Sequence, residues 1–479
     1  MTHSPHLHLP HIQEMDTGRL RAFRISACVA LPLLLAVSAG NLLDPIIRFD
    51  DYPALLARPD GFWPKTLHEG RWLNYLWHLR GIVTPPWLNF ALFQVLWALT
   101  AAAIAATSTK DNDRAWFTIA LTLALLPAPP VFLMAGWSST VIPGFAVLAL
   151  YGFLALTLRQ AALRLLLPPF TLLAFTAYTT FPLILFAICL ISTQQRSFRD
   201  LAGLVVLFGL SFAGAVLAVY TLNWQVHGVF GIPLAPARSP DPAHDLAGFW
   251  SHLPQLRATV SVLLDKLSFQ SAPVLLFHAG MLTAATAVLL RRQPMETLYI
   301  WVALWAGMAL MTLQVLKLGV TIPARAFHFT WIIYAVMIVR AAQELSRKPG
   351  LPGRLARNAV LLVAASYLVQ TAVQFTRFRD WQVETRAMAA AIAVSPKPVF
   401  ITGDILNYPS AAKAGLHMSS SLAIRLELLT GRAVILCQAA PQTCADLPES
   451  LRRPAAERTP KARLEDITGA MVLVFPPLP

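Results

Sequence analysis

Apolar runs of about twenty residues recur along the chain from near residue 24 to about residue 375. As a helix that rises about 1.5 Å per residue, each run is long enough to cross about 30 Å of hydrocarbon. The fifth and sixth runs are short and contain prolines, so they form either a tight hairpin or one broken helix. The pattern predicts about eleven membrane helices, near residues 24–43, 86–107, 115–135, 139–158, 163–177, 180–193, 201–221, 271–290, 297–315, 326–343 and 358–375.

The composition agrees with a chain that is surrounded by lipid. Of the 479 residues, 56% are hydrophobic and 13% are charged, and the mean hydropathy is +0.57, whereas soluble domains average about 25% charged residues. The formal net charge of +14 does not indicate nucleic acid, because Lys and Arg gather in loops that face the anionic cytoplasmic leaflet and no nucleic-acid-binding motif accompanies the charge. We therefore expect the lipid bilayer, and no nucleic acid, as the partner of the basic residues.

The basic residues of the short loops predict the orientation. If residues 1–23 form a cytoplasmic tail and 24–375 a multi-helix membrane domain, most of these residues fall inside, and a count that is wrong by one helix would put the later ones outside. Three long segments then lie outside: 44–85, 222–270 and 376–479. The residues that fall inside are Lys110, Arg114, Arg159, Arg164, Arg196, Arg199, Arg291, Arg292, Arg347, Lys348, Arg354 and Arg357.

The last segment, 376–479, loses the membrane pattern. Short strand-like runs at 398–402, 432–437 and 471–475, with a helical run at 419–429, predict a small α/β domain. Cys437 and Cys444 both belong to it, and they form either a disulfide or two free thiols. The fold class is therefore an all-α polytopic membrane protein with a small extracytoplasmic α/β domain at its C-terminus.

Acidic residues are scarce, 24 in the whole chain, yet five of them fall within the predicted loop 44–85. Adjacent carboxylates at a membrane surface repel each other and raise at least one pKa, which suits a general base or a ligand for a divalent cation such as Mg or Mn. A solvated loop with incidental acids is the other interpretation. The five are Asp44, Asp50, Asp51, Asp60 and Glu69.

A second candidate cluster lies between the ninth and tenth predicted helices. Lys317 and Arg325 fall outside in the predicted topology, against the positive-inside tendency, and two cations there indicate an anion. Phosphate is the natural candidate, with Arg325 binding it in bidentate fashion and His328 one turn further on. The alternative is an arginine at a helix end that reaches the lipid headgroups.

A helix followed by FDDYP at 49–53 and GRWL at 70–73 resembles the GT-C superfamily of membrane glycosyltransferases, and most closely the bacterial O-antigen-modifying glucosyltransferases. The residues that carry the resemblance are Asp50, Asp51, Gly70 and Arg71, and the C-terminal domain adds nothing to it. The resemblance implies a multi-pass protein of the bacterial inner membrane with its C-terminal domain in the periplasm. It implies transfer of a hexose from a polyprenyl-phosphate-linked donor to a glycan or lipid-linked acceptor on the outer face.

In that chemistry Asp50 or Asp51 is the base that deprotonates the acceptor hydroxyl, and the anomeric carbon inverts. A polyprenyl phosphate leaves readily, so the site needs cations around the developing phosphate charge. The candidate substrate-binding residues are Arg48, Glu69, Arg71, Lys317, Arg325 and His328.

Two other classes of function stay open: a flippase or transporter for lipid-linked sugars, and an O-antigen polymerase or ligase-like enzyme. Transporters usually place their sites at the bilayer midplane within repeated halves, whereas here the ionisable residues crowd the predicted outer surface and no repeat is visible. A polymerase would use the same face and similar substrates. The sequence has no P-loop, HExxH, GxSxG or dinucleotide motif, which leaves nucleotide chemistry unsupported.

Overall fold

The computed structural model describes residues 17–109, 115–458, 461–477 and 479. Most of the chain is helical, and a small sheet lies near the C-terminus. Of the predicted tail 1–23, residues 1–16 lie outside the described part, as do Lys110 and Arg114. From Thr17 onward the tail is already helical, so the first helix begins seven residues before the predicted membrane run.

The N-terminal part of the chain combines long helices with a cluster of short ones between residues 39 and 78. In chain order the helices are α1 (Thr17–Val37), α2 (Ala39–Leu42), α3 (Tyr52–Leu55), α4 (Pro64–Glu69), α5 (Trp72–His78), α6 (Pro86–Ser108), α7 (Ala115–Leu125), α8 (Pro129–Phe132) and α9 (Ser138–Thr157).

The helices that follow are longer on average. They are α10 (Gln160–Ala177), α11 (Phe181–Ser192), α12 (Phe198–His227), α13 (Leu246–Ser251), α14 (Leu253–Leu267), α15 (Ala272–Arg292), α16 (Pro294–Leu318), α17 (His328–Leu345) and α18 (Leu351–Thr376).

Each of the eleven predicted membrane segments overlaps a helix, but 115–135 is divided between α7 and α8, and 24–43 between α1 and α2. The chain is a helical membrane protein. Within the described residues, eight helical spans are long and apolar enough to cross a membrane, and two further apolar helices, α7 and α11, are shorter. The count of eleven crossings therefore stays a prediction. The predicted loop 222–270 begins later than expected, because α12 continues to His227, and most of its second half is helix α14.

The core of the bundle surrounds α11 and α17. Every residue of α11 is buried, and so are nearly all residues of α17, as expected for helices that are apolar on all sides. The fifth and sixth predicted segments form two helices, α10 and α11, joined by a short connection at 178–180; α10 continues through Pro168 and Pro169. This is the hairpin alternative.

The last hundred residues fold as the predicted α/β domain. The strands lie in the order β2-β1-β4-β3, with β1 parallel to both of its neighbours and β3 antiparallel to β4. The strand β3 was not predicted, because its residues are largely polar and only partly buried. Cys437 and Cys444 form a disulfide. The elements are α19 (Arg379–Ala393), β1 (Val399–Gly403), α20 (Pro409–Lys413), α21 (Ser420–Thr430), β2 (Val434–Leu436), α22 (Glu449–Arg452), β3 (Arg463–Ile467) and β4 (Ala470–Phe475).

This domain docks on the segment 38–85. Asp44 accepts hydrogen bonds from Arg425 (2.7 Å) and Arg386 (2.9 Å), and Ile46 packs into the apolar core of the domain. Arg58 pairs with Glu427 on the exposed side. We call the end of the bundle that carries this domain the domain end, and the other the opposite end.

Described loops that the predicted topology places on the same side of the membrane contact each other at the same end of the bundle. At the domain end, the backbone N–H of Arg48 donates to the carbonyl of Gly136. At the opposite end, Arg164 binds Asp200 through two hydrogen bonds of 2.6 and 2.8 Å, and Arg196 pairs with Glu296 at 3.1 Å. Both ends are thus closed by contacts between distant segments.

Candidate functional site

The segment 38–85 builds the site from short helices and turns. Helix α4 ends at Gly70, whose φ of +67° is in the left-handed region that favours glycine. A Cβ at this position would lie 3.0 Å from Ile232 Cδ1 and 3.1 Å from Val219 Cγ1. Gly70 therefore allows the sharp turn between α4 and α5 that brings Arg71 beside Glu69.

Substitution of Gly70 by alanine is expected to lower the free energy of unfolding by about 1–3 kcal/mol, because the backbone conformation is strained for any other residue and the neighbours are close. The measurement is thermal or denaturant unfolding of the purified protein in detergent. Gly81→Ala is the matched control, since a Cβ there meets nothing within 4 Å. An equal effect of the two substitutions would contradict this account of the turn.

Asp51 is part of the scaffold rather than of an open site. Its side chain is fully buried, and it accepts hydrogen bonds from the backbone N–H groups of Ser139 (2.8 Å) and Thr140 (2.5 Å). These groups belong to the first turn of α9, where a carboxylate satisfies free N–H groups and the helix dipole. Burial raises the pKa of Asp51 to about 6, against the lowering effect of these hydrogen bonds. A raised pKa was predicted, but burial rather than repulsion by Asp50 is its cause.

Asp50 has a different environment, although it is the neighbour of Asp51 in sequence. Its side chain is about a quarter exposed, and its Oδ2 lies 3.2 Å from Lys65 Nζ. Lys65 Nζ in turn donates to Glu69 Oε1 at 2.8 Å. One lysine therefore joins Asp50, the accessible carboxylate of the pair, to Glu69.

Glu69 is the centre of a buried cluster of charges. Its carboxylate contacts Arg71 (2.5 Å), Lys65 (2.8 Å) and Arg238 (2.9 Å), and Arg71 also lies over the ring of Tyr178, with its Cζ 5.0 Å from the centroid. Burial alone would raise the pKa of this carboxyl group, but the three cations outweigh it and lower the pKa of Glu69 to about 2. Glu69 is thus an ionised anchor that orients two arginines.

Both arginines face a cavity of about 420 Å³ that Lys317 and Arg325 also line. Four basic side chains and one carboxylate, that of Glu69, line it, so its formal charge is +3. The basic residues come from distant parts of the chain: the turn after α4, the segment after α12, and the two sides of the turn after α16. We call this cavity the basic cleft.

The rest of the basic cleft is largely apolar, with a few polar side chains such as Thr180 and Gln314 among its lining residues. Its apolar walls are side chains of three long helices: Phe175 of α10, Phe212 and Val216 of α12, and Leu310 and Leu313 of α16. Helix α12 packs mainly on α10, whereas α16 packs on α11, α15 and α17, so a cleft remains between α12 and α16. Leu313 is 55% exposed at its edge. The cleft therefore opens sideways between helices that lipid surrounds, with its cations at the domain end.

Lys317 and Arg325 were predicted to share an anion site, and the structure places both in the cleft. Lys317 Nζ donates to the carbonyl of Ala243, and Arg325 lies over the Trp137 ring, with its Cζ 4.4 Å from the centroid. Within the described ranges neither has a carboxylate partner. Their positive charge is uncompensated, in contrast to that of Arg71 and Arg238.

Two of the predicted substrate-binding residues lie elsewhere. His328 is buried in the core, with Nε2 2.7 Å from Met134 Sδ and Phe181 beside its ring, because the first turn of α17 directs it inward. It does not line the cleft. Arg48 lies over Trp137 on the side of the C-terminal domain, where it donates to the carbonyls of Gly415 and Ala414, so it links the domain to the membrane part.

Sequence reasoning did not assign three members of the site: Lys65, Tyr178 and Arg238. Arg238 contacts Glu69 across 169 positions of the chain, and nothing in a Pro-rich loop indicates such a partner. A better signal is available for Lys65, which precedes Glu69 by four residues, the spacing at which side chains of a helix meet. A search for cations at helical spacing from the acids would have found it.

The acids of this segment do not converge on one point. Asp44 binds arginines of the C-terminal domain, Asp51 binds the start of α9, and Asp50 and Glu69 share Lys65. In the part of the chain that the structure describes, no group of three His, Cys, Asp or Glu side chains is placed to hold a metal ion.

Comparisons of the chain with family models, with curated proteins and with solved structures found no match. The geometry of the site and the chemistry of its residues are therefore the basis for a function.

Proposed function

We propose that the protein is a membrane glycosyltransferase of GT-C type that transfers a hexose from a polyprenyl-phosphate carrier to an acceptor hydroxyl. The observation that carries the proposal is the basic cleft, where a formal charge of +3 lies at the end of an apolar, laterally open passage between α12 and α16. A lipid-linked phosphate combines these two chemistries in one molecule. Its isoprenoid chain would contact Phe212, Val216 and Leu313, and its phosphate would contact Arg71, Lys317 and Arg325.

We further propose that the domain end faces the non-cytoplasmic side of a bacterial inner membrane, with about eleven crossings. The described basic residues of the short loops, such as Arg164 and Arg196, lie at the opposite end, which supports this orientation through the positive-inside rule. The disulfide between Cys437 and Cys444 agrees with an oxidising compartment for the C-terminal domain.

In the proposed reaction Asp50 is the general base. Its carboxylate takes the proton from the acceptor hydroxyl while that oxygen attacks the anomeric carbon, and the bond from this carbon to the phosphate oxygen breaks with its electron pair. The configuration inverts, since there is a single displacement. Arg71, Lys317 and Arg325 stabilise the charge that develops on the leaving phosphate, and Lys65 positions Asp50.

The test uses the purified full-length protein in proteoliposomes with polyprenyl-phosphate hexose, labelled in the sugar, as donor and a membrane lysate as source of acceptor. The proposal expects one free polyprenyl phosphate for each hexose that becomes attached, with inverted anomeric configuration. Movement of the intact donor between leaflets without cleavage would contradict it and favour a flippase. Attachment of preassembled oligosaccharides instead of single hexoses would favour a polymerase or ligase.

Removal of the two uncompensated cations is expected to weaken donor binding. Each charge-assisted hydrogen bond contributes about 1.5–3 kcal/mol, so Lys317→Ala or Arg325→Ala should raise the Kd for polyprenyl phosphate about tenfold or more. The measurement is titration of the detergent-solubilised protein with polyprenyl phosphate, followed by tryptophan fluorescence. Arg347→Ala, a half-exposed basic residue at the opposite end, is the control, and equal affinities of all three variants would refute the cleft as phosphate site.

A further inference from the structure

A second basic cavity lies at the opposite end of the bundle, far from the proposed reaction. It has a volume of about 750 Å³ and lies between the start of α1, the α9–α10 connection and the α11–α12 connection. A smaller cavity of about 460 Å³ shares Arg164, Ser197 and Asp200 with it and continues along α12. We call the two together the arginine crevice. Among the described residues that line it, the basic ones are Arg19, Arg159, Arg164, Arg196 and Arg199, and Asp200 supplies a carboxylate.

The described residues neutralise the charges of Arg159 and Arg199 less completely than those of the other crevice arginines. Arg164 pairs with Asp200, and Arg196 pairs with Glu296 behind the crevice wall. Even so, the Nε atoms of Arg164 and Arg196 are buried and donate to no group in the described residues. Arg159 and Arg199 are exposed and have no carboxylate partner in the same part of the chain. These unsatisfied donors indicate an anion with several oxygen acceptors.

Helix ends add to the positive potential. Arg159 immediately precedes α10, and Ser197 caps α12 by accepting a hydrogen bond from the N–H of Asp200. Both helices thus begin at the crevice, and a helix N-terminus favours negative charge. The anion that fits this combination of guanidinium groups and N-termini is a phosphate ester.

The extension along α12 shows which kind of phosphate ester fits. Gly203, Leu204 and Leu207 form its apolar wall, and a Cβ at Gly203 would meet nothing within 4 Å. The adjacent Val206 and Leu210 are 59% and 69% exposed, on the surface that faces lipid. An acyl chain can bury its apolar surface in this groove, whereas a soluble phosphate has no apolar group that would occupy it.

We infer that the arginine crevice binds an anionic phospholipid, with its phosphate among the arginines and an acyl chain in the groove along α12. This site is separate from the basic cleft and does not depend on the proposed transfer reaction. The lipid would contact the starts of both α10 and α12, which already pair through Arg164 and Asp200, on the leaflet where the positive-inside rule places the basic loops.

The test is lipid binding by the full-length protein in detergent, counted by native mass spectrometry during titration with phosphatidylglycerol or phosphatidylcholine. Arg159→Ala combined with Arg199→Ala is expected to weaken phosphatidylglycerol binding about 10- to 30-fold, since each basic residue near an anionic lipid contributes about 1 kcal/mol. The double variant keeps the pairs of Arg164 and Arg196. Lys348→Ala combined with Arg354→Ala removes two exposed charges from the same end outside the crevice and should leave binding unchanged.

Gly203→Leu, which fills the groove, is expected to lower phosphatidylglycerol binding as well, and soluble glycerol phosphate is expected to bind far more weakly than the lipid in calorimetry. Equal binding of phosphatidylglycerol and phosphatidylcholine, or an equal loss in both double variants, would overturn the site. Glycerol phosphate binding as tight as that of the lipid, with no effect of Gly203→Leu, would overturn the lipid assignment in favour of a soluble phosphate ester.

Discussion

Asp50→Asn is expected to lower the rate of sugar transfer by about 10²- to 10⁴-fold, the usual contribution of a general base. The asparagine has nearly the same shape and can still contact Lys65, so donor binding in the basic cleft should change little. The measurement is kcat for hexose transfer in proteoliposomes at equal amounts of folded protein, together with the Kd for polyprenyl phosphate.

Two further acids of the same segment serve as controls for Asp50. Asp60 is exposed, and Asp60→Asn should leave transfer unchanged. Asp51→Asn removes a charged acceptor from the first turn of α9 and should lower the free energy of unfolding by about 1 kcal/mol. It should therefore lower the yield of folded protein, but not the turnover of the folded fraction. If Asp51→Asn lowered turnover and Asp50→Asn did not, Asp51 would be the general base, and the role proposed for Asp50 would be wrong.

Glu69→Gln is expected to lower the free energy of unfolding by about 3 kcal/mol, because it leaves Arg71 and the neighbouring cations without their buried counterion. The measurement is unfolding of the purified protein in detergent. Glu427→Gln is the matched control: Glu427 also pairs with an arginine, Arg58, but that arginine is 60% exposed, and exposed pairs contribute less than about 1 kcal/mol.

The effect of Glu69 should also depend on pH in a defined direction. Its pKa is lowered from 4.5 to about 2 in the folded protein, so the unfolded chain takes up the proton first as the pH falls. The stabilisation by Glu69 is therefore complete above about pH 4.5 and is lost as the pH falls toward 2. The stability difference between wild type and Glu69→Gln should shrink over this window; a difference that grows on acidification would contradict the ion pair.

The long helices were predictable because a helix in lipid needs a long apolar run. The errors lie at helix ends, where this constraint stops: α1 begins within the polar segment that contains Arg19, and α12 continues to His227. In the C-terminal domain the buried strands β1 and β4 were found, whereas β3, which has a polar sequence, was not.

The site was predictable only in its residue types. Because acids are scarce in the chain, Asp50, Asp51 and Glu69 were candidates. The sequence does not show that Asp50 is accessible to solvent, that Asp51 binds the start of α9, or that Glu69 is surrounded by cations. These differences come from contacts such as Arg238 with Glu69, which join distant segments. The prediction for His328 was wrong for a related reason. Its position about one helical turn after Arg325 indicated a phosphate ligand, but its side chain is buried in the core.

A lipid-linked phosphate in the basic cleft is central to the proposed function, and photo-crosslinking with a polyprenyl phosphate that carries a diazirine in its isoprenoid chain tests this most directly. Peptide mapping is expected to place the label on the cleft-facing residues of α12 and α16, such as Phe212 and Leu313, with labelling reduced by excess polyprenyl phosphate and by Arg325→Ala. Labelling of other membrane surfaces only, or labelling in the cleft that neither the competitor nor Arg325→Ala reduces, would contradict it.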